Sequence, residues 1–123
     1  ERFGLIQVYA REFDDAGTAE GFLTEVRAAV DACPGYELIA DGAVNWRTVS
    51  FDVTTLRDLP GAVSGIRYVE TVRSDHAESA QTSFVQRGPV VVSVYAEITG
   101  SSTLTAADAD RITLAIATRL AGR

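Results

Sequence analysis

The chain has 123 residues, enough for one domain that buries roughly two-thirds of its unfolded surface without metals or disulfides. Its 17 acids outnumber 11 basic residues, all arginine, and the net charge of −6 repels phosphate backbones and bare anionic membrane surfaces, so nucleic acid is excluded as a partner. The 46% hydrophobic content is ordinary for a globular protein, and no run approaches the roughly 20 apolar residues of a membrane span.

The chain opens at Glu1, has no Met and shows no signal-peptide pattern, so it reads as a piece of a longer protein whose N-terminal tether is missing. Phe3 to Glu12 is the first predicted strand, with Ile6, Val8 and Ala10 on one face and Phe3, Leu5 and Tyr9 on the other. Apolar residues on both faces predict a central position. Asp14-Asp15-Ala16-Gly17-Thr18 starts a helix, with an Asp or Thr as N-cap. Ala19, Phe22, Leu23, Val26, Val30 and Cys33 recur at helical spacing as one apolar stripe, and Pro34-Gly35 ends the helix.

Tyr36 to Ile39 is a candidate short strand, followed by a turn at Ala40-Asp41-Gly42-Ala43. Trp46 to Thr54 alternates, with Val49, Phe51 and Val53 inward, as an antiparallel strand with one wet face does. Leu56 to Ser64 contains Pro60-Gly61 and reads as a loop, Ile66 to Arg73 as a strand, and Ser74 to Glu78 as a turn. Gln81–Gln86 and Val90–Ile98 form a hairpin about Arg87-Gly88-Pro89. Val90, Val92, Val94, Ala96 and Ile98 point one way; Val91 and Tyr95 share the other face with Ser93 and Glu97. In the last helix Thr105 is the N-cap, Asp108 completes a capping box and Leu104 staples onto Ala109. Ala109, Ile112, Ile116 and Leu120 are its expected buried stripe, with Arg119 in the last turn. The expected fold is α+β: a twisted antiparallel sheet in the order β-α-β-β-β-β-α, with one further short strand allowed, and two helices packed on one face.

Catalytic motifs are scarce. His76, the single histidine, sits in Ser74-Asp75-His76-Ala77-Glu78, where flanking carboxylates would suit a base, but a solvated turn explains the same residues more simply. Cys33 has no partner for a disulfide and lies on the helix stripe, which predicts a small buried hydrophobe. There is no phosphate loop, nucleophile elbow or CxxC, and a lone His lacks metal ligands at a defined spacing. The aromatics remain: Tyr9, Trp46, Tyr68 and Tyr95 are candidate walls of a ligand groove, with Arg47 or Arg67 to orient the ligand. Cross-strand pairing and capping of the core account for the same rings.

A strand, a helix ending in Cys33-Pro34-Gly35, then Arg87-Gly88-Pro89-Val90-Val91-Val92 and an Ala-rich terminal helix resemble the PknH-type sensor domain. Such domains form the extracellular end of some actinobacterial serine/threonine kinases and recur in actinobacterial lipoproteins. The resemblance implies a twisted antiparallel sheet with flanking helices, a location outside the cytoplasmic membrane, a ligand cleft and no enzymatic activity. Domains of this type are commonly longer and stapled by disulfides, and related sequences often carry Asn where this chain has Pro89.

The leading expectation is a non-catalytic extracytoplasmic sensor or ligand-binding domain, membrane-anchored through the missing segment or secreted, without cofactor. Its partner would be a small molecule or a cell-envelope component. The alternatives are a small isomerase or hydrolase using His76 with Asp75 or Glu78, and a protein-interaction module presenting a sheet edge or aromatic face. One test concerns the hairpin register alone. Val92→Asp buries an unpaired carboxylate and forfeits about 1.5–3 kcal/mol of apolar burial, against a total stability of about 5–15 kcal/mol. Circular dichroism is expected to show an unfolded or nearly unfolded variant; an unshifted melting point would place Val92 outside the core.

Overall fold

In the computed structural model, which describes residues 5–39, 46–73, 77–99 and 105–123, the alternating segments form strands and the apolar stripes form helices. The order is β1 (Leu5–Glu12), α1 (Ala16–Ala32), β2 (Gly35–Ile39), β3 (Trp46–Thr55), β4 (Ser64–Arg73), β5 (Ala77–Arg87), β6 (Val90–Thr99) and α2 (Ala106–Ala121). The short segment after Pro34 is thus a full member of the sheet. The strands make one antiparallel sheet in the order β1-β6-β5-β4-β3-β2. From β2 to β6 it is a simple meander; β1 returns from the far end of the sequence to pair with β6.

The β5–β6 hairpin turns at Gly88, whose φ of 57° lies in the left-handed region that glycine enters without steric cost. Pro89 has no N–H to leave unpaired, and its carbonyl accepts the Phe13 N–H at 2.8 Å, which starts the β1–β6 ladder. Of the turn predicted at Ser74 to Glu78, Ala77 and Glu78 belong instead to β5, and the rest lies outside the described residues. The predicted turn at 40–43, the staple from Leu104 and His76 lie outside the described residues.

The helices do not share a face. Ala19 and Leu23 of α1 pack with Ile66, Phe84 and Val91, whereas Ala117 and Leu120 of α2 pack with Val63, Val85 and Val92. Phe84 and Val85 are consecutive, as are Val91 and Val92, and successive side chains of a strand point to opposite faces. The sheet therefore separates α1 from α2, and the one-face arrangement expected from the sequence is corrected. The misleading signal was polarity in β5: Gln81, Thr82, Ser83 and Gln86 are buried beside Phe84 and Val85. The polar groups of Gln81, Ser83 and Gln86 find partners inside. Gln81 donates to Asp110 Oδ1 at 3.3 Å, Gln86 to the Gly88 carbonyl at 3.0 Å, and Ser83 Oγ accepts from Arg67 at 3.0 Å.

Two further expectations change. First, β1 is an edge strand, with Leu5, Val8 and Tyr9 37%, 52% and 73% exposed. Its apolar residues on both faces lie beyond the cover of either helix. Second, α2 buries Ala109, Thr113, Ala117 and Leu120, with Ile112 and Ile116 only partly covered. Small side chains let this helix lie close over Val85 and Val92, and the Thr113 hydroxyl is satisfied by the Ala109 carbonyl at 2.9 Å. The segment from Leu56 to Val63 is the loop expected, and it adds to the α2 core, where Leu56 and Leu59 crowd the place a Cβ on Gly65 would occupy. Among the described residues no helix is long and apolar enough to cross a membrane.

Both helices start as the sequence indicates. Asp15 caps α1 by accepting the Thr18 N–H at 2.7 Å, and Thr105 with Asp108 forms the reciprocal capping box of α2. The Thr18 backbone N–H, then its hydroxyl, holds the Asp15 carboxyl below its ordinary 3.8; the Thr105 backbone N–H and hydroxyl, then Arg111, do the same for Asp108. A carboxyl whose pKa falls on folding contributes stability that is present above its unfolded value and lost as pH falls through its folded value. Denaturant midpoints of the wild type are therefore expected to drop below pH 3.8 more steeply than those of the Asp15→Asn/Asp108→Asn variant. Parallel profiles would remove both caps from the acid response.

Candidate functional site

Helix α1 carries its apolar stripe further than its packing. Ala19 and Leu23 are buried against the sheet, but one turn later Val26 and Val30 are only partly covered, and Ala29 and Cys33 are exposed. Residues 26, 29, 30 and 33 follow the i, i+3, i+4, i+7 spacing of one helix face. That face forms the wall of a cleft of about 400 Å³. Its floor is aromatic, made of Tyr36 on β2, Phe51 on β3 and Tyr68 on β4. The Tyr36 and Phe51 rings lie 6.2 Å apart at 37°, and Tyr68 continues the row to Phe84, 6.1 Å beyond. Phe84 in turn meets Phe22 edge-on at 5.7 Å, so the floor is anchored in the core.

The cleft exists because the end of α1 is held at a fixed place. Cys33 caps the helix, its N–H reaching the Ala29 and Val30 carbonyls at 3.2 Å each. Pro34 then accepts the Phe51 N–H at 2.8 Å, and Gly35 meets β3 so closely that a Cβ there would lie 2.7 Å from the Val49 carbonyl oxygen. The chain thus pivots from helix to strand in two residues. Cys33 is consequently exposed at the end of the cleft, a correction to the buried hydrophobe expected from its spacing. Periodicity gives the direction of a helical side chain and says nothing of how far the opposite surface lies.

Directly paired residues of an antiparallel sheet share a face, so the register sorts the six predicted site residues. Tyr68 lies in the cleft floor. Tyr95 pairs with Thr82, and Thr82 with Tyr68, so Tyr95 occupies the same face two strands away. It borders a separate cavity of about 260 Å³ with Glu70, Glu78 and Glu97. Tyr9 shares this face too, but on the exposed edge strand. Arg67 points the other way, where it pairs with Asp110 of α2 at 2.6 Å and borders a polar cavity of about 490 Å³. Trp46 and Arg47 have paired backbones at the start of β3, and their side chains lie outside the described residues.

The predicted groove is therefore divided. The structure assembles instead a cleft from Tyr68 and residues the aromatic count passed over: Tyr36, Phe51 and the outer turns of α1. The available signal was Ala29, which fills the gap between Val26 and Cys33 on the helix stripe. Among the described residues no group of three or more His, Cys, Asp or Glu side chains is placed to hold a metal ion.

No family model matches the chain, and no curated protein matches it by sequence. By structure it is similar to the extracellular domain of PknH from Mycobacterium tuberculosis, with a TM-score of 0.68 and 16% identity, over 98% of this chain and 57% of that one. The chain spans a little over half the length of that domain, and at this identity the likeness is one of fold. The fold inferred from the hairpin and first helix is the one found.

The acidic side of this face makes a measurable mark. The Tyr95 hydroxyl donates to Glu97 Oε1 at 2.9 Å. Burial first, then that bond and the charges of Glu97 and Glu70, push its pKa from 10.0 up to about 12. A raised pKa contributes stability that is whole below 10.0 and is lost as pH rises toward about 12. Absorbance titration is expected to resolve one late tyrosine, which Glu97→Gln moves back toward 10.0. A titration with no late component would disprove the contact.

Proposed function

We propose that this chain is a non-catalytic extracytoplasmic sensor domain that binds a small molecule between the outer turns of α1 and the floor of β2, β3 and β4. It is tethered to the membrane through a segment ahead of Glu1. The observation that supports this reading is a preformed apolar cleft on a fold shared with the extracellular domain of PknH. Concave, mostly apolar surfaces with a few placed polar groups are how small-molecule sites are usually built, and here two tyrosines and a cysteine stand among the lining residues.

A sensor must also report occupancy, and the cleft is suited to that. One wall is the less covered half of a helix whose other half is packed in the core, so a ligand that fills the gap adds contacts between α1 and β2, β3 and β4. Differential affinity for the bridged arrangement is all that a shift of population requires.

The test uses the whole protein in its own cells. It is expected in the envelope fraction, with this domain cleaved by protease added to intact cells. Recovery of a protease-shielded domain in the cytosol would overturn the reading.

A further inference from the structure

The chemistry of the cleft restricts what it can hold. Among the described residues that line it, Val26, Ala29, Val30, Cys33, Tyr36, Phe51 and Tyr68, there is neither cation nor carboxylate. A charged group drawn inside would lose water and find no counter-charge. The nearest arginine along α1, Arg27, is directed elsewhere, its guanidinium donating to Thr55 Oγ1 at 2.7 Å. Arg67, the next along β4, is committed to Asp110 on the opposite face. Phosphates, carboxylates and acidic sugars therefore have no described cation to receive them here.

The charge adjoining the floor is negative. Glu70 stands directly across from Phe51 in the β3–β4 pairing and two residues from Tyr68 on the same face, and it is only partly exposed. Its field also reaches Tyr95, whose phenol it helps to hold neutral. Overall the chain carries −6, which adds a weaker repulsion of anions at long range.

We infer that the cleft takes the hydrocarbon chain of a single amphiphile with a neutral or cationic head, and rejects the anionic equivalent. The chain would lie along Val26, Ala29 and Val30 above the Phe51 and Tyr36 rings, its head at the open rim on the Glu70 side. This rests on the proposed ligand-binding role and adds the ligand class to it.

Three probes with one hydrocarbon chain separate the terms: dodecyl maltoside, dodecyltrimethylammonium and dodecanoate, each below its micelle-forming concentration. Cys33 is the single cysteine and lines the cleft, so its rate of maleimide labelling reports occupancy. The neutral and cationic probes are expected to slow labelling at concentrations about tenfold lower than dodecanoate, the size of effect one nearby carboxylate has in a surface dielectric. Glu70→Gln is expected to narrow that gap. Ala29→Trp, at an exposed helix position, is expected to fill the cleft and abolish binding, read independently from amide shift changes at Ala29 and Tyr36. Equal or better protection by dodecanoate would overturn the inference, as would binding unchanged in Ala29→Trp. So would association with phosphatidylcholine vesicles but with none of the monomeric probes. If no probe binds while the domain is exposed outside the cell, the ligand class falls and the sensor reading stands; a cytosolic domain removes the sensor reading itself.

Discussion

Phe84 and Val85 point into opposite halves of this protein, and the rest of the structure depends on both being buried. On one side Phe84 meets Ile66, Val91 and the first turns of α1; on the other Val85 meets Val92 and the small residues of α2. A strand covered on both faces must satisfy every polar group it carries within the protein. β5 does so with Gln81, Ser83 and Gln86, each bonded to a group on another element or in its own turn. A purely apolar β5 would bury more hydrocarbon. The polar one additionally specifies where α2 and β4 must sit, since Asp110 receives both Gln81 and Arg67.

Legibility in the sequence followed the range of the interaction. Local signals were read directly: the Thr105–Asp108 capping box, the Asp15 cap, the turn at Gly88, and the alternation of Val49, Phe51 and Val53. The register of Val90 to Ile98 was equally plain, because Val92, Val94 and Ala96 form an unbroken buried row. Placement relative to distant elements was not. Nothing in Leu5 to Glu12 tells an edge strand from a central one, since its apolar residues are the same in either place. Which face a helix covers is undetermined when the strands beneath are apolar on both sides, as Val90-Val91-Val92 is. The cleft depends on both kinds of placement, which is why Tyr68 was identified while Tyr36 and Phe51 were passed over.

The cleft and the core are two halves of one helix. Through Leu23 the stripe of α1 meets side chains; from Val26 it meets increasing space. What sets the difference is the short passage through Cys33-Pro34-Gly35, which fixes the helix end relative to β2 and β3. The fold held in common with the PknH extracellular domain at 16% identity shows how little sequence is needed to preserve such a scaffold. Side chains lining a cleft are free to differ on it, so ligand chemistry is argued from these residues alone.

One further consequence concerns β1. The bond from the Phe13 N–H to the Pro89 carbonyl fixes the phase of its ladder, so Leu5, Gln7, Tyr9 and Arg11 direct their backbone groups toward β6. Ile6, Val8, Ala10 and Glu12 direct theirs away from the sheet, to open water. Along this single strand the amide protons divide into two populations by parity: alternate ones locked by the ladder, the others free to exchange with solvent. β1 joins the sheet through β6 alone, outside the five-stranded meander of β2 to β6.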